Sequence, residues 1–155
     1  MKKVILPTSR NRARRERVRA LLNRDFAPLI GITVRVHWNL REHLWSIVAR
    51  TGAARGCVIG YAETVALAKV AFHVSAAGRA RSEALRHRTV HAWVNGTVTA
   101  INAEHDLSLL MRVTYNPAPD RPKTFVLSNG TPVLWAEHAV FARPSPHAEH
   151  GYAWI

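Results

Sequence analysis

The sequence has one cysteine and few acidic residues, and each scarcity excludes a class of protein. The single cysteine, Cys57, excludes an internal disulfide and is typical of a reducing compartment. Its neighbours Gly56, Val58 and Ile59 indicate a small buried side chain rather than a reactive thiol. The ten aspartate and glutamate residues are scattered, so no pair of carboxylates stands out for acid–base catalysis.

Familiar catalytic and metal-binding patterns are also missing. There is no Gly-x-Ser-x-Gly elbow, no P-loop and no Gly-x-Gly-x-x-Gly turn. His87 and His91 have the spacing of two ligands on a helix, but the hydrophobic period changes between them and no cysteine or carboxylate is close by. We therefore predict a protein that is not an enzyme and that has no cofactor or metal.

Long hydrophobic runs are absent as well. No apolar run approaches the ~18 residues that a membrane-spanning helix needs, which predicts a protein without a membrane segment. Residues 1–6 are followed by Pro7 and arginines, so the apolar start is too short for a secretory signal. An arginine-rich, acid-poor start is also compatible with a mitochondrial transit peptide. We expect a cytoplasmic protein.

What the sequence does have is positive charge gathered at one end. The first 24 residues hold nine basic residues and one acid, which is +8 of the formal net charge of +12. Charge at this density repels itself unless it meets a polyanion or an acidic protein surface, and nucleic acid is the commonest such partner. Arginine suits phosphate oxygens because its planar guanidinium donates two parallel hydrogen bonds. The predicted phosphate-binding residues here are Arg10, Arg12, Arg14, Arg15, Arg17, Arg19 and Arg24.

The hydrophobic periodicity predicts an α+β fold. A helix over about residues 10–25, capped by Ser9, is followed by alternating residues 32–38 and further short strands joined by turns. The alternation slips near Lys69, as at a bulge, and Asn95-Gly96 is expected to bend a strand or divide it into a hairpin. We predict a small, bent antiparallel sheet or barrel-like core with an arginine-rich N-terminal helix and a second basic helix. The predicted organisation is an arm at 1–30, one domain at 31–143 and a tail at 144–155.

The second basic helix is predicted over residues 76–88, opened by Ser75, and its arginines are expected to hold phosphates: Arg79, Arg81, Arg86 and Arg88. His91 and Trp93 follow on one face of a strand. One interpretation is a surface where Trp93 stacks on a base beside these arginines. The other is a histidine that is hydrogen-bonded beneath the helix, with Trp93 in the core.

Between residues 38 and 136 the chain resembles a group of small, uncharacterised proteins encoded by phages and prophages. The matching residues include Asn39-Leu40, Trp45-Ser46, the segment from Val65 to Arg81, the block Arg86-x-Arg88-x-Val90-His91-Ala92-Trp93-Val94-x-Gly96, Tyr115-Asn116-Pro117, Thr124-Phe125-Val126 and Gly130-x-Pro132-Val133. The resemblance implies a phage-like origin, and thus the host cytoplasm, but it implies no activity. The arginine-rich first 30 residues lie outside it.

These observations lead to three hypotheses. The first is a non-enzymatic phage-type protein that binds nucleic acid, with RNA or single-stranded DNA favoured because outward tryptophans on a bent sheet offer stacking surfaces. The second is a protein-interaction module, such as an inhibitor of a host defence (anti-CRISPR-like), a ligand of a nucleoprotein complex or a small virion component. The third is a metal-dependent hydrolase that uses His87 and His91.

Overall fold

The computed structural model describes residues 9–86 and 89–155. Its two α-helices are α1 (Ser9–Leu22) and α2 (Ala76–Leu85), and a short 3-10 helix spans Ala27–Leu29. The strands are β1 (Thr33–Asn39), β2 (Leu44–Ala49), β3 (Val58–Ala62), β4 (Val65–Val74), β5 (Ala92–Ile101), β6 (Arg112–Thr114), β7 (Val126–Leu127), β8 (Trp135–Ala142) and β9 (Tyr152–Trp154). The prediction of an α+β fold is confirmed. Within the described ranges, no helix is long and apolar enough to span a bilayer.

All nine strands form one antiparallel sheet in the order β3-β2-β1-β5-β4-β8-β9-β6-β7. The first three strands form the meander that their alternation and tight turns predict. The prediction of a small sheet or barrel-like core is wrong in the size of the sheet. The sheet is large and open, with β3 at one end of the order and β7 at the other.

The sheet bends so that one face wraps around the core. Trp45 on β2 and Phe141 on β8 are separated by three strands in the sheet, yet their rings lie 5.2 Å apart. Only a strongly curved sheet brings them together, so the face that bears them is concave. On β1 the buried Val34 and Val36 point to this face, and the alternation places Arg35 and His37 on the opposite, convex face.

A bulge in β4 fixes which residues reach the convex face. The pairing of β4 with β5 shifts between Ala68 and Ala71, and Lys69 takes a φ of 52°. This is the slip that the sequence predicts. Beyond the bulge, Phe72 is buried in the core and His73 is exposed on the other side.

Strand β5 continues through Asn95-Gly96, so the predicted division into a hairpin is wrong. A side chain at Gly96 would place its Cβ 3.0 Å from the carbonyl oxygen of Ala68 and from the Cβ of Leu67. Glycine is therefore needed for the close approach of β4 and not for a turn.

The C-terminal segment 144–155, predicted to be a tail, supplies strand β9, which pairs with β8 on one side and β6 on the other. Ala153 and Trp154 are buried. The indole nitrogen of Trp38 donates a 2.9 Å hydrogen bond to the carbonyl of Glu149. A Cβ at Gly151 would lie only 2.5 Å from the Trp45 ring, so the segment is pressed closely onto the core.

Candidate nucleic-acid interface

Helix α1 lies along the edge strand β3 and is held at two points. Near its start, an Arg14 guanidinium nitrogen lies 3.2 Å from a carboxylate oxygen of Glu42 in the β1–β2 turn. Beyond its end, Arg24 Nη1 donates a 2.7 Å hydrogen bond to the carbonyl of Ile59 on β3. These two arginines, both predicted to bind phosphate, thus have partners within the protein.

The other arginines of α1 are exposed. A helical period of 3.6 residues places Arg12, Arg15 and Arg19 within about 60° of one another around the helix axis, next to the side that bears Arg14 and Val18. Arg12 pairs with Glu16 at 3.2 Å, but both side chains are more than half exposed, and such pairs contribute little. Arg12, Arg15 and Arg19 therefore form one basic face, which we call the α1 face; Arg10 and Arg17 are exposed elsewhere on the helix.

Arg79 has an internal role that the sequence did not predict. Its side chain is buried, and its guanidinium donates hydrogen bonds to the carbonyls of Ala118, Arg121 and Pro122 at 2.7–3.1 Å. It also pairs with Glu83 at 3.3 Å and lies over the ring of Tyr115. Since all three guanidinium nitrogens have partners within the protein, we leave Arg79 out of the interface.

The structure describes two other predicted residues of the second helix. Arg81 and Arg86 are exposed, and Arg86 ends the helix with a positive φ of 51°. Arg88 lies outside the described residues, as does His87 of the predicted histidine pair.

His91 and Trp93 lie in different environments, although the sequence placed them together. His91 is buried beneath α2, where its Nδ1 donates to the carbonyl of Thr89 at 2.9 Å and its Nε2 shares a 3.0 Å hydrogen bond with the Tyr115 hydroxyl. A Cβ at Gly78 of α2 would lie 2.8 Å from His91 Cβ. This location matches the interpretation of a histidine beneath the helix. Trp93, by contrast, is only partly buried and lines a groove.

This groove, which we call the basic groove, is an open cavity of about 350 Å³ on the convex face of β2, β1, β5 and β4. It is lined by three arginines, two aromatic rings and one amide side chain, and none of the residues described as lining it is acidic. The lining residues are Arg35, Val48, Ala49, Arg50, Arg55, Gly56, His73, Trp93 and Asn95.

Strand pairing brings these residues together from distant parts of the sequence. Arg35 pairs with Asn95 across β1 and β5, and His73 pairs with Trp93 across β4 and β5. The Arg35 guanidinium carbon lies 5.1 Å from the centre of the Trp93 ring, and the His73 ring lies 4.7 Å away from it with a tilt of 41°. Trp93 is thus flanked by a cation and by an exposed flat ring.

Two polar atoms of the groove have no partner among the described residues. The Nε of Arg35 and the Oδ1 of Asn95 are buried but form no hydrogen bond with any residue in the ranges 9–86 and 89–155. A buried donor or acceptor without a partner is unfavourable, so both atoms favour a ligand that supplies the complementary groups. Arg50 and Arg55 are exposed in the β2–β3 loop and add positive charge at the rim. The same loop exposes Cys57, so the prediction that this cysteine is buried is wrong.

His37 lies two residues after Arg35 on the same face of β1. Burial, with a smaller contribution from the nearby Arg35 cation, lowers the pKa of His37 from 6.5 to about 4. The imidazole is therefore neutral at pH 7, and its buried Nδ1 forms no hydrogen bond within the described residues.

We expect the protein to lose stability in mild acid through His37. Between pH 6.5 and pH 4 the unfolded chain binds a proton at this site that the folded chain does not, so the free energy of unfolding falls as pH falls. The loss is about 1.4 kcal/mol per pH unit, or about 2 kcal/mol from pH 7 to pH 5. Urea denaturation at both pH values measures it. His37→Gln should remove this part of the pH dependence; an unchanged dependence would show that other groups cause it.

No three His, Cys, Asp or Glu residues of the described ranges are grouped so as to hold a metal ion. The metal-dependent hydrolase hypothesis thus has no support from these residues.

The family of the protein is shown by a match that extends from the end of the 3-10 helix into the C-terminal segment. Residues 29–148 match the family model described as Mycobacterium phage L5 gene 82 protein. The chain belongs to this family. The resemblance to phage-encoded proteins is thereby confirmed. The region shared with the gene 82 family contains the whole basic groove, but α1 and its arginines lie outside it. Searches of curated proteins and of solved structures found no match.

Proposed function

We propose that this phage-type protein binds single-stranded nucleic acid, RNA or DNA, without catalysing a reaction. The observation that supports this best is the basic groove, which three arginines and Trp93 line together without an acidic residue. We keep the predicted contact with nucleic acid for the arginines of the α1 face. We no longer propose such a contact for Arg79 and His91. The host cytoplasm is the expected location.

The electrostatics of the groove favour phosphate. Arginine forks bind phosphate oxygens through two parallel hydrogen bonds, and Arg50 and Arg55 are exposed at the rim where a phosphate can approach. No ion pair within the described residues involves Arg35, Arg50 or Arg55. Their positive charge is therefore available to a ligand.

The shape and composition of the groove favour single strands over duplex. Proteins that bind single strands combine a positive channel with flat side chains on which unpaired bases stack. Here the exposed His73 ring, which contacts Trp93 at a tilt, offers such a surface beside the arginines. In a duplex the bases are paired and stacked on each other, so their faces cannot reach these rings.

The contribution of α1 is tested by removing the charge of its exposed face. Arg12→Gln, Arg15→Gln and Arg19→Gln together should lower the affinity for a labelled single-stranded 20-mer and reduce the slope of log K against log salt by about 2. Fluorescence anisotropy over a range of salt concentrations measures both. The substitutions leave the docked residues Arg14 and Val18 in place, so circular dichroism should show unchanged helix content.

The control for this experiment removes charge from another surface. Arg121→Gln with Lys123→Gln changes two exposed residues of the loop that leads to β7 and should leave the slope nearly unchanged. If the α1 variant keeps the wild-type slope, the α1 face does not contact phosphate.

A protein-interaction module is the second candidate, and one observation favours it. Leu109 is 88% exposed in the segment before β6, and Leu110 and Met111 beside it are also exposed. Apolar side chains in succession on a surface are typical of protein contacts. Recovery of one stoichiometric host protein after nuclease treatment, lost in Leu109→Ser, would support this candidate over nucleic-acid binding.

A further inference from the structure

Trp135 extends the convex face beyond the basic groove. This residue begins β8, and its side chain is 58% exposed, which is unusual for a tryptophan in a sheet. It pairs with Ala71 of β4, and Ala71 pairs with Asn95 of β5, which lines the groove. Directly paired residues point to the same face of a sheet, so Trp135 lies on the same face as the groove.

Trp135 and His73 stand on either side of a small residue. His73 follows Ala71 by two positions, so it is the diagonal neighbour of Trp135 across the β4–β8 pair. Diagonal neighbours have side chains that start roughly 7–8 Å apart. Two flat rings that contact the opposite faces of one base are separated by about 7 Å, since each contact is about 3.5 Å. Ala71, between them, is too short to fill this space.

The aromatic contacts are consistent with an open gap between the His73 and Trp135 rings. The His73 ring contacts Trp93, and the described aromatic contacts include none between His73 and Trp135. The series Arg35, Trp93, His73 and Trp135 therefore crosses β1, β5, β4 and β8, and the gap lies between its last two members.

We propose that His73 and Trp135 are the walls of a slot that holds one unpaired base, with Ala71 as its floor. The backbone of the same strand then runs across the sheet, and its phosphates reach Arg50 and Arg55. This inference rests on the proposed function and adds to it a stacking site and the direction of the bound strand. A base suits the slot better than an apolar protein side chain does because the adjoining groove is cationic and favours an attached phosphate.

Two substitutions test the slot from opposite sides. Trp135→Ala removes one wall, and Ala71→Phe fills the space with a residue that strands accept well. Each should weaken binding of labelled single-stranded dT and rU 20-mers about 10-fold, which is the effect of losing one stacked base. Trp135→Phe keeps a flat ring and should restore most of the affinity. Binding to a duplex 20-mer should be weak and insensitive to all three changes.

The matched control is Leu134→Ala, which removes a comparably exposed apolar side chain from the neighbouring position. It should bind the single strands as the wild type does. If the wild type binds neither 20-mer, the proposed function is wrong. If the wild type binds but Trp135→Ala and Ala71→Phe bind equally well, only the slot is wrong. Loss of a copurifying protein in Trp135→Ala, with unchanged oligonucleotide binding, would also overturn the slot and assign Trp135 to a protein contact.

Discussion

Replacing Arg50 and Arg55 with glutamate should weaken binding of a single-stranded 20-mer by about 100-fold near 0.1 M salt. Each phosphate contact on a single strand contributes about 0.7 to the salt slope, so losing two contacts lowers the affinity by roughly 10-fold or more at this salt. Reversing the charge adds repulsion of the backbone. Both residues are exposed at the groove rim and make no ion pair within the described residues, so the fold should tolerate the change.

The control separates position from total charge. Arg121→Glu with Lys123→Glu changes the net charge by the same four units in an exposed loop that does not line the groove. We expect this control to lose only a few-fold in affinity, through the weaker long-range field. Equal losses in the two double variants would mean that the protein attracts polyanions by overall charge, and the basic groove would then have no special role.

The groove could be foreseen only in part, because its residues are brought together by strand pairing. The alternation of β1 already places Arg35 on the face opposite Val34, and Trp93 was identified as a candidate. Arg50 and Arg55, however, stand alone in the sequence and carry no motif. They join Arg35 only because β2 pairs with β1 and returns through the loop to β3. The visible signal was an arginine in the middle of a strand, on the polar face of an alternating pattern.

The concentration of positive charge in the sequence predicted that the arginines of both helices bind phosphate. Which of these arginines are exposed and which are internal, however, depends on tertiary structure. Arg79 and Arg81 look alike in sequence, two positions apart on one basic helix. A helical turn of 3.6 residues separates them by about 200°, so they point to opposite sides. Which side is buried depends on the loop of residues 116–122 folding over Arg79, and no local pattern encodes that contact.

Two further features depend on long-range pairing. Strand β9 has only three residues, Tyr152–Trp154, and alternation over three residues cannot be distinguished from chance. Its place between β8 and β6 follows from contacts with residues ten or more positions away. The face on which Trp135 lies depends on the register of β8 against Ala71, and a slip of one residue would move its side chain to the other face.

Replacing Arg79 with alanine should lower the free energy of unfolding by about 3 kcal/mol or more. The change leaves three loop carbonyls without their donor and Glu83 without its cation, and it removes a cation from the Tyr115 ring. Removing one partner of a buried, hydrogen-bonded charge typically costs this much. Lysine should restore little, since one ammonium group cannot reproduce the geometry of a guanidinium that reaches three carbonyls. Urea denaturation at pH 7 gives the values.

Arg81→Ala is the matched control, because it removes an exposed arginine from the same helix and should change stability by less than about 0.5 kcal/mol. Substitutions at Arg79 and Arg81 also decide whether Arg79 stabilises the fold or binds phosphate. If this residue bound phosphate, Arg79→Gln would reduce the salt slope of oligonucleotide binding by about 0.7 while leaving stability nearly unchanged. The internal hydrogen bonds predict the reverse: a large loss of stability, and an unchanged slope for the protein that remains folded. A variant as stable as Arg81→Ala would show that the loop does not depend on Arg79.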